Sequence, residues 1–147
     1  MPARHPDGRL EARHLEIGRL GEEAAAEHLL AKGLRVLERN VVLGRLELDL
    51  VCEDGDTLIF VEVKTRAEGS LAAPADGLTA QKRSRLVRAV QCYLSKHALW
   101  DRPCRLDLVS VLFRAGAVAG IEHVENAFTA DEPRPAGAGR SSGWQPW

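Results

Sequence analysis

Two short apolar runs carry more acid than a simple core strand explains. In Leu46-Glu47-Leu48-Asp49-Leu50-Val51-Cys52 and in Thr57-Leu58-Ile59-Phe60-Val61-Glu62-Val63-Lys64-Thr65, charged side chains interleave with residues suited to a core. Successive side chains of a strand point to opposite faces. That alternation predicts Leu46, Leu48 and Leu50 on one face of the first run and Glu47 and Asp49 on the other. In the second run it separates Ile59, Val61 and Val63 from Phe60, Glu62 and Lys64. Between the runs lies Glu53-Asp54-Gly55-Asp56, and Asp-Gly between alternating apolar runs is a strong hairpin signal. Centring the turn on Asp54-Gly55 pairs Glu47 with Glu62 and Asp49 with Phe60. Asp49 and Glu62 then become diagonal neighbours, roughly 7–8 Å apart at the backbone.

Carboxylates gathered on one face repel one another. A hard divalent cation relieves that repulsion, and Mg²⁺ accepts such oxygens beside substrate phosphates. Lys64 adds a mobile point charge suited to a nucleophilic water or a developing phosphate charge. The blander reading is a solvated hairpin face on which Lys64 pairs with Glu62. Phe60 and the apolar flanks argue that the face is partly covered.

Two helices must frame this hairpin. Leu15 to Lys32 is rich in Ala, Leu and Glu and ends at Gly33, a helix stop. At about 100° per residue, Ala25, Ala26, Leu29 and Leu30 make its apolar stripe, with Glu22 near the centre. A carboxylate there needs a partner if it is buried; if the helix start lies past the core edge, water and the helix dipole suffice. A second helix is expected from Thr79, a good N-cap, to about Lys96. Its apolar stripe is Leu86, Val90, Tyr93 and Leu94. Gln81, Arg85, Arg88 and Lys96 project on the other side, with Lys82 at the margin. No acid occurs between Asp76 and Asp101, so this one-sign face suits phosphate contacts, although solvated helix faces are also commonly basic.

Leu34–Val42 reads as a strand before the hairpin, and Arg105–Leu112 and Val118–Val124 as two after the second helix. The order α-β-β-β-α-β-β predicts an α/β domain with a mixed sheet flanked by helices. The 147 residues suit one such domain. Residues 1–14 read as a flexible arm, 15–128 as the domain and 129–147 as a disordered tail. Trp144 and Trp147 in that tail are incidental or a hook for a partner.

With 20 Lys+Arg against 21 Asp+Glu, no global charge draws the chain to nucleic acid, so any such partner must be met locally. No apolar run approaches the ~20 residues of a membrane-spanning helix. Cys52, Cys92 and Cys104 lack metal-ligand spacing and read as reduced thiols of a cytoplasmic protein. The histidines show no ligand spacing either, and no glycine-rich phosphate loop is present.

The acid in the first helix, Asp49 on one strand and Glu62-Val63-Lys64 on the next resemble the PD-(D/E)XK nuclease superfamily. The chain is more closely similar to the YraN-like family, distant relatives of archaeal Holliday-junction resolvases. The matching stretches are Gly18-x-x-Gly21-Glu22-x-x-Ala25 with Leu29 and Gly33, Arg39-Asn40, Glu47-Leu48-Asp49-Leu50-Val51 and Phe60-Val61-Glu62-Val63-Lys64-Thr65-Arg66. They continue with Lys82, Arg105-Leu106-Asp107 and Asn126-Ala127-Phe128. Leu46 stands where that family usually has glycine, and Leu48 where the superfamily has proline.

The resemblance implies a restriction-endonuclease-like fold with Asp49, Glu62 and Lys64 as the nuclease triad and Glu22 as an auxiliary acid. Asp49 and Glu62, with the Val63 carbonyl, would hold Mg²⁺ or Mn²⁺, and Glu22 a second ion or a bridging water. Lys64 would orient the attacking water. Lys82, Arg85, Arg88, Lys96 and Arg66 would track the DNA backbone, with Glu47 a second-rank candidate. A homodimer is expected only by analogy with the resolvases. The rival expectations are a nucleic-acid-binding module without turnover and an adaptor in DNA repair.

Overall fold

A computed structural model describes residues 7–67 and 78–127. It has α1 (Asp7–Ala31), β1 (Arg35–Leu43), β2 (Leu46–Asp54), β3 (Thr57–Ala67), α2 (Ala80–Lys96), β4 (Cys104–Arg114) and β5 (Ala117–Val124), the order expected from the sequence. The five strands form one mixed sheet in the order β1-β2-β3-β4-β5. All neighbours are antiparallel except β3 and β4, which run parallel. A parallel pair requires a crossover connection, and α2 lies within it.

The helices cover opposite faces. Leu58 and Phe60 pack with Leu86, Val90, Tyr93 and Leu94 of α2. Ile59 and Val61, the alternate residues of the same strand, pack with Ala25, Ala26 and Leu29 of α1. Phe60 meets Tyr93 edge to face at 5.5 Å, and the Tyr93 hydroxyl donates to Glu38 Oε2 at 2.6 Å. Thr79 caps α2 by accepting from the Lys82 amide at 3.1 Å.

Four expectations are corrected. Helix α1 begins at Asp7, well before Leu15. Leu30 is 51% exposed, because Ala25, Ala26 and Leu29, with Ile17, Leu20 and Ala24 beside them, make the contact with the sheet and Leu30 falls on the flank. The hairpin register also differs: Asp54 pairs with Thr57 and Leu50 with Val61. Gly55 and Asp56 are therefore the two loop residues, and Gly55 takes φ +58° at the first loop position, which type II′ turns reserve for glycine. Arg102 holds this loop from outside, donating to Glu53 Oε2 (3.0 Å) and to the carbonyl of Asp56 (3.0 Å).

The alternation of β2 also breaks at Asp49. Leu48 joins the α2-side cluster and Leu50 the α1-side cluster, so they do not share a face. Two features coincide there: Asn40 of the neighbouring strand adopts φ +50°, and the β2–β3 ladder goes no further than Leu50–Val61. Beyond that pair the two strands fork.

All three cysteines carry free thiols, Cys52 and Cys104 buried and Cys92 exposed. Among the described residues, no helix is long and apolar enough to cross a membrane. The tail at 129–147, with Trp144 and Trp147, and the motif residue Phe128 lie outside the described residues.

Candidate active site

The fork is where the acids meet. The corrected register moves Asp49 from opposite Phe60 to the position facing Glu62. Asp49 Oδ2 accepts the Val63 amide at 2.9 Å, replacing the ladder carbonyl that a regular strand would supply. Its carboxyl is pushed up from 3.8 to about 8, first by burial, then by the charge of Glu62, with a shared Asp49–Glu62 hydrogen bond and Glu22 adding to the rise. Asp49 therefore keeps its proton at pH values where an ordinary aspartate has lost it.

Glu62 is only 8% exposed. Its Oε1 lies 3.0 Å from Lys82 Nζ, which reaches over from the first turn of α2. Glu22 approaches from the other helix. It is half-buried, accepts from the Asn40 side chain, and has its pKa raised, chiefly by burial and further by the charges of Glu47 and Glu62. The left-handed backbone of Asn40 thus coincides with a side chain that seats Glu22.

Gly21 makes that approach possible. A Cβ on Gly21 would stand 2.1 Å from Thr65 Oγ1 and 3.2 Å from Thr65 Cβ, so α1 lies directly against β3 one residue past Lys64. Gly21→Ala is expected to push α1 off the sheet, destabilising the fold by about 1–3 kcal/mol and displacing Glu22. Urea unfolding of the two proteins measures this; equal midpoints would show that Thr65 yields without cost.

An open cavity of about 450 Å³ lies between the fork and α2. Its walls comprise Arg45, Leu46, Glu47, Asp49, Glu62, Thr79, Gln81, Lys82, Arg85 and Leu86. One wall is acidic and the other basic. Lys64 is half-buried on β3 and outside these walls. Its pKa is lowered, first by burial and then by the charges of Arg66 and Lys82, with Glu62 opposing. Of the basic residues expected to meet DNA, Lys82 and Arg85 line the cavity. Arg88 and Lys96 are exposed further along α2, Lys96 about 21 Å beyond Lys82 at 1.5 Å per residue. Arg66 is half-buried beside Lys64.

The structure therefore brings together Glu22, Glu47, Asp49, Glu62 and Lys82, with Lys64 at the margin, and separates Arg88 and Lys96 from them. It also adds Asn40, Arg45, Thr79 and Gln81. Asn40 was legible only as part of a motif, and Arg45 had no signal beyond its place in the β1–β2 turn.

Among the described residues, no three His, Cys, Asp or Glu side chains are already grouped to hold a metal ion. The donor chemistry nonetheless fits a hard cation. Asp49 and Glu62 present adjacent carboxylates, and the proton that Asp49 retains and the Lys82 ammonium at Glu62 mark where positive charge is wanted. Mg²⁺ ordinarily takes only one or two protein carboxylates and completes its shell with water and phosphate.

The model of the uncharacterised protein family UPF0102 matches residues 21–111, which include Glu22, Glu47, Asp49 and Glu62. A UPF0102 protein of Nitratidesulfovibrio vulgaris (strain DP4) is 49% identical over 138 residues, covering 94% of this chain and 99% of that one. One from Oleidesulfovibrio alaskensis is 48% identical, covering 95% of this chain and 70% of that one. One from Lawsonia intracellularis is 40% identical, covering 90% and 97%. The structure of Pyrococcus furiosus SfsA in complex with Ca²⁺ aligns with TM-score 0.38 and 16% identity over 74% of this chain and 63% of that one, too loose a likeness to carry an argument.

Proposed function

The chain belongs to the uncharacterised protein family UPF0102, and we propose that it is a divalent-cation-dependent endonuclease acting on DNA phosphodiesters. The observation that carries this reading is the Asp49–Glu62 pair at a strand fork, facing a basic helix terminus across an open cavity. Asp49 and Glu62 are the residues that would hold Mg²⁺ or Mn²⁺. When bound, the ion supplies Lewis-acid stabilisation of the charge that builds on the reacting phosphate.

The remaining work falls to the chain itself. Val63 N–H fixes the Asp49 carboxylate, so the acid is held by backbone and not by a mobile side chain. Burial and neighbouring cations ease the Lys64 ammonium toward giving up a proton, which suits a group that orients and helps deprotonate water. Glu22, seated by Asn40, accepts a hydrogen bond from water on the α1 side of the fork. The N-terminus of α2, with Thr79 and Gln81 in the cavity wall, offers partial positive charge to a phosphate. Arg45 and Arg85 extend that positive rim.

Mg²⁺- or Mn²⁺-dependent nicking of branched and plain duplex DNA tests the proposal. Wild-type protein is expected to cut at least one substrate, and Lys64→Ala and Glu62→Gln to lower the rate about 10³-fold or more. Absence of metal-dependent cleavage on every substrate overturns the enzymatic reading.

One observation favours a second reading. Lys82 neutralises Glu62 as the protein stands, as in a scaffold that binds nucleic acid without turnover. Such a module binds DNA with an affinity that Mg²⁺ leaves unchanged and takes up no ion at Asp49.

A further inference from the structure

We propose that Lys82 is a placeholder cation: its ammonium occupies the Glu62 carboxylate in the metal-free protein and passes to a substrate phosphate when a divalent ion arrives. This deepens the phosphodiesterase reading and rests on it.

Four observations support the exchange. The Lys82 side chain is 44% exposed while that of Glu62 is 9% exposed, so the ammonium reaches a buried carboxylate from the solvent side. It can leave without opening the core. Lys82 sits in the first turn of α2, which holds no acidic residue. A cation there opposes the helix dipole, so α2 itself gives the ammonium no reason to stay.

Third, lysine carries its charge on a flexible stem with no fixed fork, which suits a group that must change partners. Fourth, the destination is adjacent. Gln81, Lys82 and Arg85 line one wall of the cavity and Asp49 and Glu62 the other. A phosphate between these walls lies within the sweep of the lysine stem. Charge balances at each end of the exchange. Before it, the ammonium faces Glu62 and Asp49 keeps its proton. After it, the divalent ion faces both carboxylates, the proton has passed to water and the ammonium meets the phosphate.

Calorimetric titration of Mn²⁺ into the full chain without DNA is the first test, on wild-type, Lys82→Met, Lys82→Arg and Asp49→Asn. Lys82→Met is expected to bind Mn²⁺ about tenfold more tightly than wild-type, because no ammonium competes. Lys82→Arg is expected to match wild-type or bind more weakly, since a guanidinium grips a carboxylate better. Equal or weaker binding by Lys82→Met, with Asp49→Asn abolishing the site, overturns the placeholder while leaving the metal site intact. Failure of all four proteins to bind Mn²⁺ overturns both readings.

A second measurement follows the ammonium to its destination. With Ca²⁺ present, the slope of log affinity for duplex DNA against log salt is expected to shrink by about one unit in Lys82→Met. Without divalent ions it is expected to be unchanged. Slopes that agree in both conditions overturn the transfer to phosphate.

Discussion

Asp49→Asn is expected to make the metal-free protein more stable at alkaline pH. The folded Asp49 carboxyl titrates at about 8 against an ordinary value of 3.8, because it is buried and faces Glu62. Between those values the native state keeps a proton that the unfolded chain has released. Stability therefore falls as pH rises through the window from about 4 to 8. Asparagine is neutral throughout. Its carbonyl can still accept the Val63 amide, and its amide nitrogen can donate to Glu62. At pH 8.5 the gain is expected to reach about 2–4 kcal/mol, given 1.36 kcal/mol per pKa unit and the residual cost of burying an amide. Near pH 4 the two proteins are expected to melt together. Thermal unfolding in EDTA at the two pH values checks this, and a variant no more stable than wild-type at pH 8.5 would remove the claim of stored electrostatic strain. Loss of the metal site is the expected functional cost.

Asp107→Ala is expected to have the opposite sign and a comparable size. Asp107 is fully buried on β4. It accepts from Arg105 Nε (3.0 Å) and Nη2 (3.2 Å), from His123 Nε2 (2.7 Å) and from the Asn126 amide (2.9 Å). Lys32 Nζ stands 3.0 Å from His123 Nδ1. An ammonium can only donate, so Nδ1 accepts and Nε2 carries the hydrogen toward Asp107. Alanine strands a buried imidazole N–H, a backbone amide and much of a guanidinium at once. The expected loss is about 3–5 kcal/mol, a large share of the 5–15 kcal/mol typical of a domain. Asp107→Asn keeps an acceptor oxygen and is expected to lose roughly half as much. Denaturant midpoints check both, and a loss below about 1 kcal/mol for alanine would show that the network is dispensable.

Much of this arrangement was legible in the chain. Periodicity placed Phe60 on one face of β3 and Ile59, Val61 and Val63 on the other, and the two clusters divide those four residues in the same way. The turn was misplaced because both Asp54-Gly55 and Gly55-Asp56 make acceptable loops. The slip moved each partner by two residues, an even step that preserves the faces of β3 and turns a diagonal acid pair into an opposed one. The break at Asp49 was not legible, since it coincides with a left-handed Asn40 on a neighbouring strand and with a ladder that stops. Nor was the pairing of Lys82 with Glu62, since helical periodicity shows which face a residue takes but not which strand side chain it meets. Asp107 is legible only as a motif residue; its partners His123 and Asn126 reach it through the β4–β5 pairing and the turn after β5.

The single parallel seam of the sheet has a kinetic consequence. The β1-β2-β3 meander and the β4–β5 hairpin each pair through short connections, whereas Leu58 meets Cys104 only after the whole of α2 has intervened. Closing that long loop carries the main entropic cost of ordering the chain and comes before its reward in contacts. Glu47, Asp49 and Glu62 belong to the first of these two parts, while the helix that delivers Lys82 lies in the closing loop itself. The acidic half of the fork can therefore take shape while still wet, and acquires its basic wall only when the two halves of the molecule dock.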